Sequence, residues 1–142
     1  MFKKILLPVD LTDKHQTAMA TATALARQND GEVILLHVVE LIGGLAQGEE
    51  EDFYRRLEHR ARNHLARLAT HLSQAQVHWR GEVIFGNRAT ETAGFAANHE
   101  TGFIVLTAPS FQPEHPTAGF GSMAWRISLI APCPVLLVRN PK

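Results

Sequence analysis

Residues 5–39 read ILLPVDLTDKHQTAMATATALARQNDGEVILLHVV, and the succession of patterns within them decides the fold. Ile5, Leu6, Leu7 and Val9 make a short apolar run that passes through Pro8 into Asp10-Leu11-Thr12, the pattern of a buried strand feeding a turn. A helix is predicted next. Thr12 or Asp13 is placed to cap it, Gln16 completes a capping-box spacing with Asp13, and Ala18, Ala22, Leu25 and Ala26 fall on one helical face. Asn29-Asp30-Gly31 ends it. Val33 to Val39 is apolar apart from His37, as a central strand covered on both faces should be. Strand, helix and strand in this order form a crossover unit, which sets its two strands parallel.

The same alternation runs to the end of the chain. Gly43-Gly44 and Gly48 suggest a flexible connection, and the acidic run Glu49 to Asp52 stands where a helix should begin, where negative charge is favourable. Phe53, Leu57, Ala61, Leu65, Leu68 and Leu72 then recur every three or four residues, which predicts the longest helix. Val77 to Phe85 reads as a third strand in which Arg80-Gly81-Glu82 marks a bulge or an edge. Gly86-Asn87 turns into a helix from about Ala89 to Asn98, and Phe103 to Leu106 is a fourth buried strand. A loop from Thr107 to Gly121 holds Pro109, Pro113 and Pro116 without periodicity, Ser122 to Ile130 reads as helix, and Pro132-Cys133-Pro134 opens a last strand, Val135 to Val138. The expected architecture is α/β, one five-stranded parallel sheet with helices on both faces. Ligands of such sheets sit beyond the carboxyl ends of the strands where strand order reverses, so the loops after strands one and four are the expected walls of a site.

Composition narrows the function. At 142 residues and 45% hydrophobic content the chain suits one domain, 1–142, with no repeat or linker. Fourteen basic and fourteen acidic side chains balance, so no long-range field favours nucleic acid or an anionic membrane. Cys133 is the only cysteine and cannot form an internal disulfide. The opening residues lack the apolar core and cleavage site of a secretion signal, and no apolar run approaches the roughly 18 residues of a membrane span, so a cytoplasmic location is expected.

Catalytic motifs are missing from the sequence. It contains no P-loop and no nucleophile elbow, and Gly119-Phe120-Gly121-Ser122-Met123-Ala124 fits the dinucleotide fingerprint only at the wrong end of the chain. His64 and His71 share a helix face with Arg60 and Arg67 opposite the leucine stripe, so that face is read as solvated. His37 should satisfy a hydrogen bond within its strand, while His15, His78, His99 and His115 look scattered, with no metal-ligand spacing. Trp79 and Trp125 are expected to pack, and Cys133 to be structural rather than reactive. No enzyme activity is expected.

Several separated pieces together resemble the universal stress protein family: Ile5-Leu6-Leu7-Pro8-Val9-Asp10, Val33 to Val39, Gly86-Asn87-Arg88-Ala89, and Gly121-Ser122 followed by Ala131-Pro132-Cys133-Pro134-Val135-Leu136-Leu137-Val138-Arg139. The resemblance covers nearly the whole chain and implies strand order 3-2-1-4-5, often a homodimer, and an adenine-nucleotide pocket. ATP-holding members carry a glycine, two residues, a glycine, nine residues, then glycine with serine or threonine. Here Gly121-Ser122 matches the end of that motif, but the two earlier positions fall on Thr107 and Ser110 or, counted from the other end, on Ala108 and Phe111. Glycines there would let backbone N–H groups approach phosphate, so their loss predicts weak or absent ATP binding. The resemblance carries over Asp10, Pro8, Val9 and Val38 to the adenosine side, and Thr107, Ser110, Gly121, Ser122 and Met123 to the phosphate side.

Pro132 and Pro134 lack amide donors and argue for an edge strand, yet Val135, Leu136, Leu137 and Val138 are too apolar to remain bare. A homodimer through this strand is therefore expected. The leading functional reading is a small non-catalytic stress-response or regulatory protein that holds ATP, ADP or AMP weakly and has a further, unidentified protein partner. The alternative is a pure dimeric interaction module without nucleotide, in which Phe111, Pro113 and Pro116 cover the former phosphate site. A phospho-accepting receiver domain is disfavoured, because the third strand ends in Val83-Ile84-Phe85-Gly86 rather than an aspartate.

Overall fold

The aliphatic runs become the strands of one sheet in a computed structural model that describes residues 2–41 and 49–141. The elements follow in the order β1 (Lys4–Pro8), α1 (Gln16–Asn29), β2 (Glu32–Val39), α2 (Glu49–Leu68), α3 (Thr70–Gln74), β3 (His78–Phe85), α4 (Arg88–Asn98), β4 (Phe103–Thr107), α5 (Met123–Ile130) and β5 (Val135–Val138). All strand pairs are parallel and the sheet order is β3-β2-β1-β4-β5. The chain thus winds outward from β1 in one direction, then crosses back to β4 and winds the other way. That reversal lies between β1 and β4. The glycine-rich connection expected at 43–48 lies outside the described residues.

Strand alternation sends the apolar side chains into two cores. Ile5, Leu7, Val33 and Leu35 pack beneath α1, α2 and α3, while Leu6, Ile34, Leu36, Ile104 and Leu106 pack beneath α4 and α5. Ile5, Leu6, Leu7 and Val33 to Leu36 are fully buried, which explains why these strands read as continuous apolar runs rather than as alternating ones. At the end of α1, Asp30 takes the left-handed conformation (φ 51°) and its N–H bonds Ala26 O. The next position must be glycine, because a Cβ on Gly31 would lie 2.6 Å from Lys3 O, where β2 starts against β1.

Four expectations need correction. First, α1 begins at Gln16, and neither Thr12 nor Asp13 caps it; the residue before the helix is His15, which makes no side-chain cap bond. Thr12 instead donates to the ionised Asp10 carboxylate through both its amide and its hydroxyl, a pair of charge-assisted bonds. Second, the longest helix is divided into α2 and α3 at Ala69, although bonds from Ala69 N–H to Leu65 O and from Ser73 N–H to Ala69 O run through the junction and keep Leu65 and Leu72 on one buried stripe. Third, Trp79 and Trp125 are more than a third exposed. Trp79 sits on an outer strand and donates to Ser73 Oγ at 3.1 Å, and Trp125 stacks on Phe120. Fourth, His64 does not belong to a freely solvated face: it is half-buried, and its Nε2 is buried without a partner. As for β3, it is an edge strand in unbroken register with β2 from His78 to Phe85, so Gly81 marks an edge and not a bulge.

Candidate functional site

Where β1 and β4 diverge, their carboxyl ends open a cleft. Pro8, Val9 and Asp10 form one side, Leu106 and Thr107 the other, Leu36 and Val38 the floor, and Met123, Ala124 and Ile127 of α5 the roof, with Lys14, His15, Arg88 and Thr92 completing the lining. Of the residues assigned to a nucleotide from sequence, Pro8, Val9, Asp10, Val38, Thr107 and Met123 are brought together here. Ser110 and Ser122 lie on a neighbouring groove that also includes Phe111, Pro116 and Trp125. Phe111 and Pro116 therefore line that groove, and neither they nor Pro113 line the β1–β4 cleft.

The order of groups along the cleft follows from local backbone choices. Val9 N–H bonds Leu36 O at 2.9 Å, which prolongs the β1–β2 ladder by one residue and fixes the direction in which Asp10 leaves the sheet. His37 donates from Nδ1 to Val9 O at 2.9 Å, so the buried histidine of β2 anchors the same turn. On the opposite side, Ala108 N–H bonds Val138 O, which holds the start of the long loop against β5. Gly121 adopts φ 83°, a left-handed conformation that favours glycine, and Ser122 then caps α5 by accepting from Trp125 N–H.

His15 is the residue that sequence reasoning missed. It is 5% exposed and reaches across the cleft, with Nε2 2.8 Å from Asp10 Oδ1 and Nδ1 2.8 Å from Thr107 Oγ1. Nothing local signals this, because Thr107 is 92 positions away and only the β1–β4 adjacency joins them. The cavity left beside this bridge is about 90 Å³, below the roughly 300 Å³ at which small-molecule pockets begin.

Charge in the cleft is strongly organised. Burial pushes the Asp10 carboxyl upward, but hydrogen bonds from Thr12, Lys14 and His15 outweigh it and hold the group far below the usual carboxylate range. Lys14 Nζ stands 3.0 Å from Asp10 Oδ2. Burial lowers the His15 pKa below its ordinary value despite the neighbouring Asp10, and burial lowers that of His37 as well. At neutral pH, then, the site presents a carboxylate anion, a neutral imidazole and a hydroxyl. Arg88 is only loosely paired, 3.8 Å from Glu40.

The same groups fix a proton position. An ionised Asp10 has no hydrogen to donate, so the 2.8 Å contact requires the hydrogen on His15 Nε2. Asp10 N–H also approaches Nε2, at 3.2 Å, but accepting from it would leave two bare acceptors facing each other at the shorter distance. The charge-assisted bond wins. Nδ1 is consequently unprotonated and accepts from the Thr107 hydroxyl.

Other chemistry is sparse. Among the described residues no group of three or more histidine, cysteine, aspartate or glutamate side chains is placed to hold a metal ion. Burial raises the Cys133 thiol pKa, which disfavours the thiolate form. No helix among the described residues is long and apolar enough to cross a membrane.

Comparison with known proteins agrees with the architecture. The universal stress protein family model matches residues 1–139. Universal stress protein MJ0531 of Methanocaldococcus jannaschii is 28% identical over 145 aligned positions, covering 100% of this chain and 85% of that protein. Among solved structures, UspA of Lactobacillus plantarum aligns with TM-score 0.80 and 22% identity over 97% of this chain and 98% of its own. A universal stress protein of Archaeoglobus fulgidus in complex with dAMP aligns with TM-score 0.70 and 19% identity over 96% and 98%. With the family model spanning all but the last three residues and the expected strand order in place, this chain belongs to the universal stress protein family.

Proposed function

We propose that the chain is a stress-response binding protein whose β1–β4 cleft takes the nucleoside end of an adenine nucleotide and holds a triphosphate poorly. The observation that supports this most is the unequal construction of the cleft. Pro8, Val9, Asp10 and Val38 line it on elements rooted in the core. On the phosphate side, Thr107 and Ser110 place side chains where glycine amides would be needed, and Ser110 lies outside the cleft altogether. Gly121, Ser122 and Met123 retain a helix N-terminus suited to a single phosphate group. A structural relative in complex with dAMP is consistent with a monophosphate ligand. On this reading the nucleotide is bound and not turned over, in a cytoplasmic protein.

The site works as a homodimer joined through β5. That strand ends the sheet, so its outer edge has no partner in one chain, and Leu137 is 43% exposed on an otherwise aliphatic strand. Pairing with a second copy across a two-fold axis would cover both. The reading without nucleotide draws on the small cavity: if the His15 bridge never opens, only the dimer and an unidentified protein partner remain. Calorimetric titration with AMP, ADP, ATP and cyclic AMP separates the two. Saturable heat with AMP supports the nucleotide reading, and no heat with any of the four leaves the interaction module. Light scattering at micromolar concentration tests the dimer, and a monomer mass refutes it.

A further inference from the structure

Asp10, His15 and Thr107 stand in the order carboxylate, imidazole, hydroxyl, joined by contacts of 2.8 Å on each side of the ring. A nucleotide-binding role uses Asp10 and Thr107 as contacts and gives no work to the imidazole between them. The proton arrangement derived above is that of a general-base relay: Nε2–H donates to the carboxylate, and Nδ1 accepts from the hydroxyl it would deprotonate. The ring is turned end for end relative to the usual serine-hydrolase triad, with Nδ1 instead of Nε2 facing the hydroxyl, but the division of roles is the same. Thr107 ends β4 at the carboxyl edge of the sheet, where reactive groups of open α/β sheets are placed. It is half-buried and lines the cleft.

We propose that Asp10, His15 and Thr107 form a nucleophilic relay and that Thr107 accepts an acyl group from a small activated ester. In the first step Thr107 Oγ1 bonds the ester carbonyl carbon while its proton passes to His15 Nδ1, and the resulting imidazolium is held by the Asp10 carboxylate. The tetrahedral oxyanion collapses, the bond to the leaving oxygen breaks, and that oxygen takes the proton from Nδ1. Water then repeats the sequence on the acyl-threonine, giving its proton to Nδ1 and releasing the acid, and Thr107 Oγ1 recovers its hydrogen. No oxidant or cofactor is needed. The dimensions favour a short acyl chain, because the cavity is about 90 Å³ and is lined by the apolar Leu36, Val38, Leu106 and Ile127. Arg88 lines the same cleft as a cation for the developing negative charge. The charged and titratable groups facing His15 are Asp10 and Lys14 on its own loop and His64 on α2.

This inference goes beyond nucleotide binding and does not depend on it. The test is incubation of the full chain with p-nitrophenyl acetate, with nitrophenolate release followed by absorbance and the acyl group located by peptide mass mapping. The expected result is one acetyl group on Thr107 and a rate that rises with pH through a midpoint below that of free histidine. Thr107→Val should remove the label and slow release about 100-fold, Thr107→Ser should keep both, and His15→Gln should slow acylation by a similar factor, each with a native circular dichroism spectrum. A label confined to lysine or to Cys133 would overturn the proposal, as would a folded Thr107→Val protein that releases nitrophenolate at the wild-type rate. If Thr107→Val does not fold, the mapped position on the wild-type chain decides alone.

Discussion

The two walls of the cleft are built by opposite means. On the β1 side, Pro8, Val9 and Asp10 are one to three positions past fully buried Leu7, and their backbone is tied by Val9 N–H to Leu36 O and by His37 to Val9 O. On the β4–α5 side, residues 109–118 are all exposed, and their hydrogen bonds are mostly short-range turns, such as His115 N–H to Gln112 O and Phe120 N–H to Thr117 O. A long-range bond, from the Arg139 guanidinium to Pro109 O, ties the start of that segment to the end of the chain. A wall that belongs to the core is held by burial and can vary little, whereas a wall that is a surface loop can lose its ligand contacts without cost to the fold.

The largest effect should therefore separate the walls by stability. Leu6→Ala, which removes a fully buried side chain beneath the β1 wall, is expected to cost about 2–5 kcal/mol in urea unfolding, and Phe111→Ala on the loop no more than about 0.5. Similar losses for both would mean that the loop is part of the core, and the contrast would break.

The fold was legible in the sequence because its signals are local. Uninterrupted apolar runs such as Val33 to Val39 mark strands buried on both faces, and the punctuation by Asn29-Asp30-Gly31 and Gly86-Asn87 marks the crossovers. The site was only half legible. Asp10 and Val38 could be assigned through a resemblance, but the His15 bridge depends on a tertiary contact between β1 and β4 that no local pattern encodes. Capping failed for a related reason: as a cap Thr12 would have accepted from a backbone N–H in the first turn of α1, but in the folded turn its amide and hydroxyl both donate to the ionised Asp10 carboxylate.

A second test exchanges the character of the loop wall. Thr107→Gly with Ser110→Gly should restore backbone approach to phosphate and raise ATP affinity about tenfold or more, since one regained contact of roughly 1.4 kcal/mol is a factor of ten. Unchanged ATP affinity in the folded double variant would place the weakness elsewhere.

The smallest effect is a pH slope. Burial keeps the folded-state pKa of His15 below its unfolded value of about 6.5, so the unfolded chain binds more protons once the pH falls through that value. The stability contributed by neutral His15 is thus fully present above pH of about 6.5 and is lost as the pH drops toward the folded-state pKa. His37 acts in the same direction. Denaturation midpoints should decline from pH 7 to pH of about 5, and His15→Gln should flatten the decline without abolishing it. An unaltered slope would show that His15 is not held neutral by the fold.

The inequality of the walls reduces to one ratio, the affinity for ATP over that for AMP, measured by calorimetry on the same wild-type protein. The account predicts a ratio at or below one, because the β and γ phosphates would meet the side chains of the Thr107 to Gly121 loop and no glycine cradle. ATP binding at least tenfold tighter than AMP would contradict it.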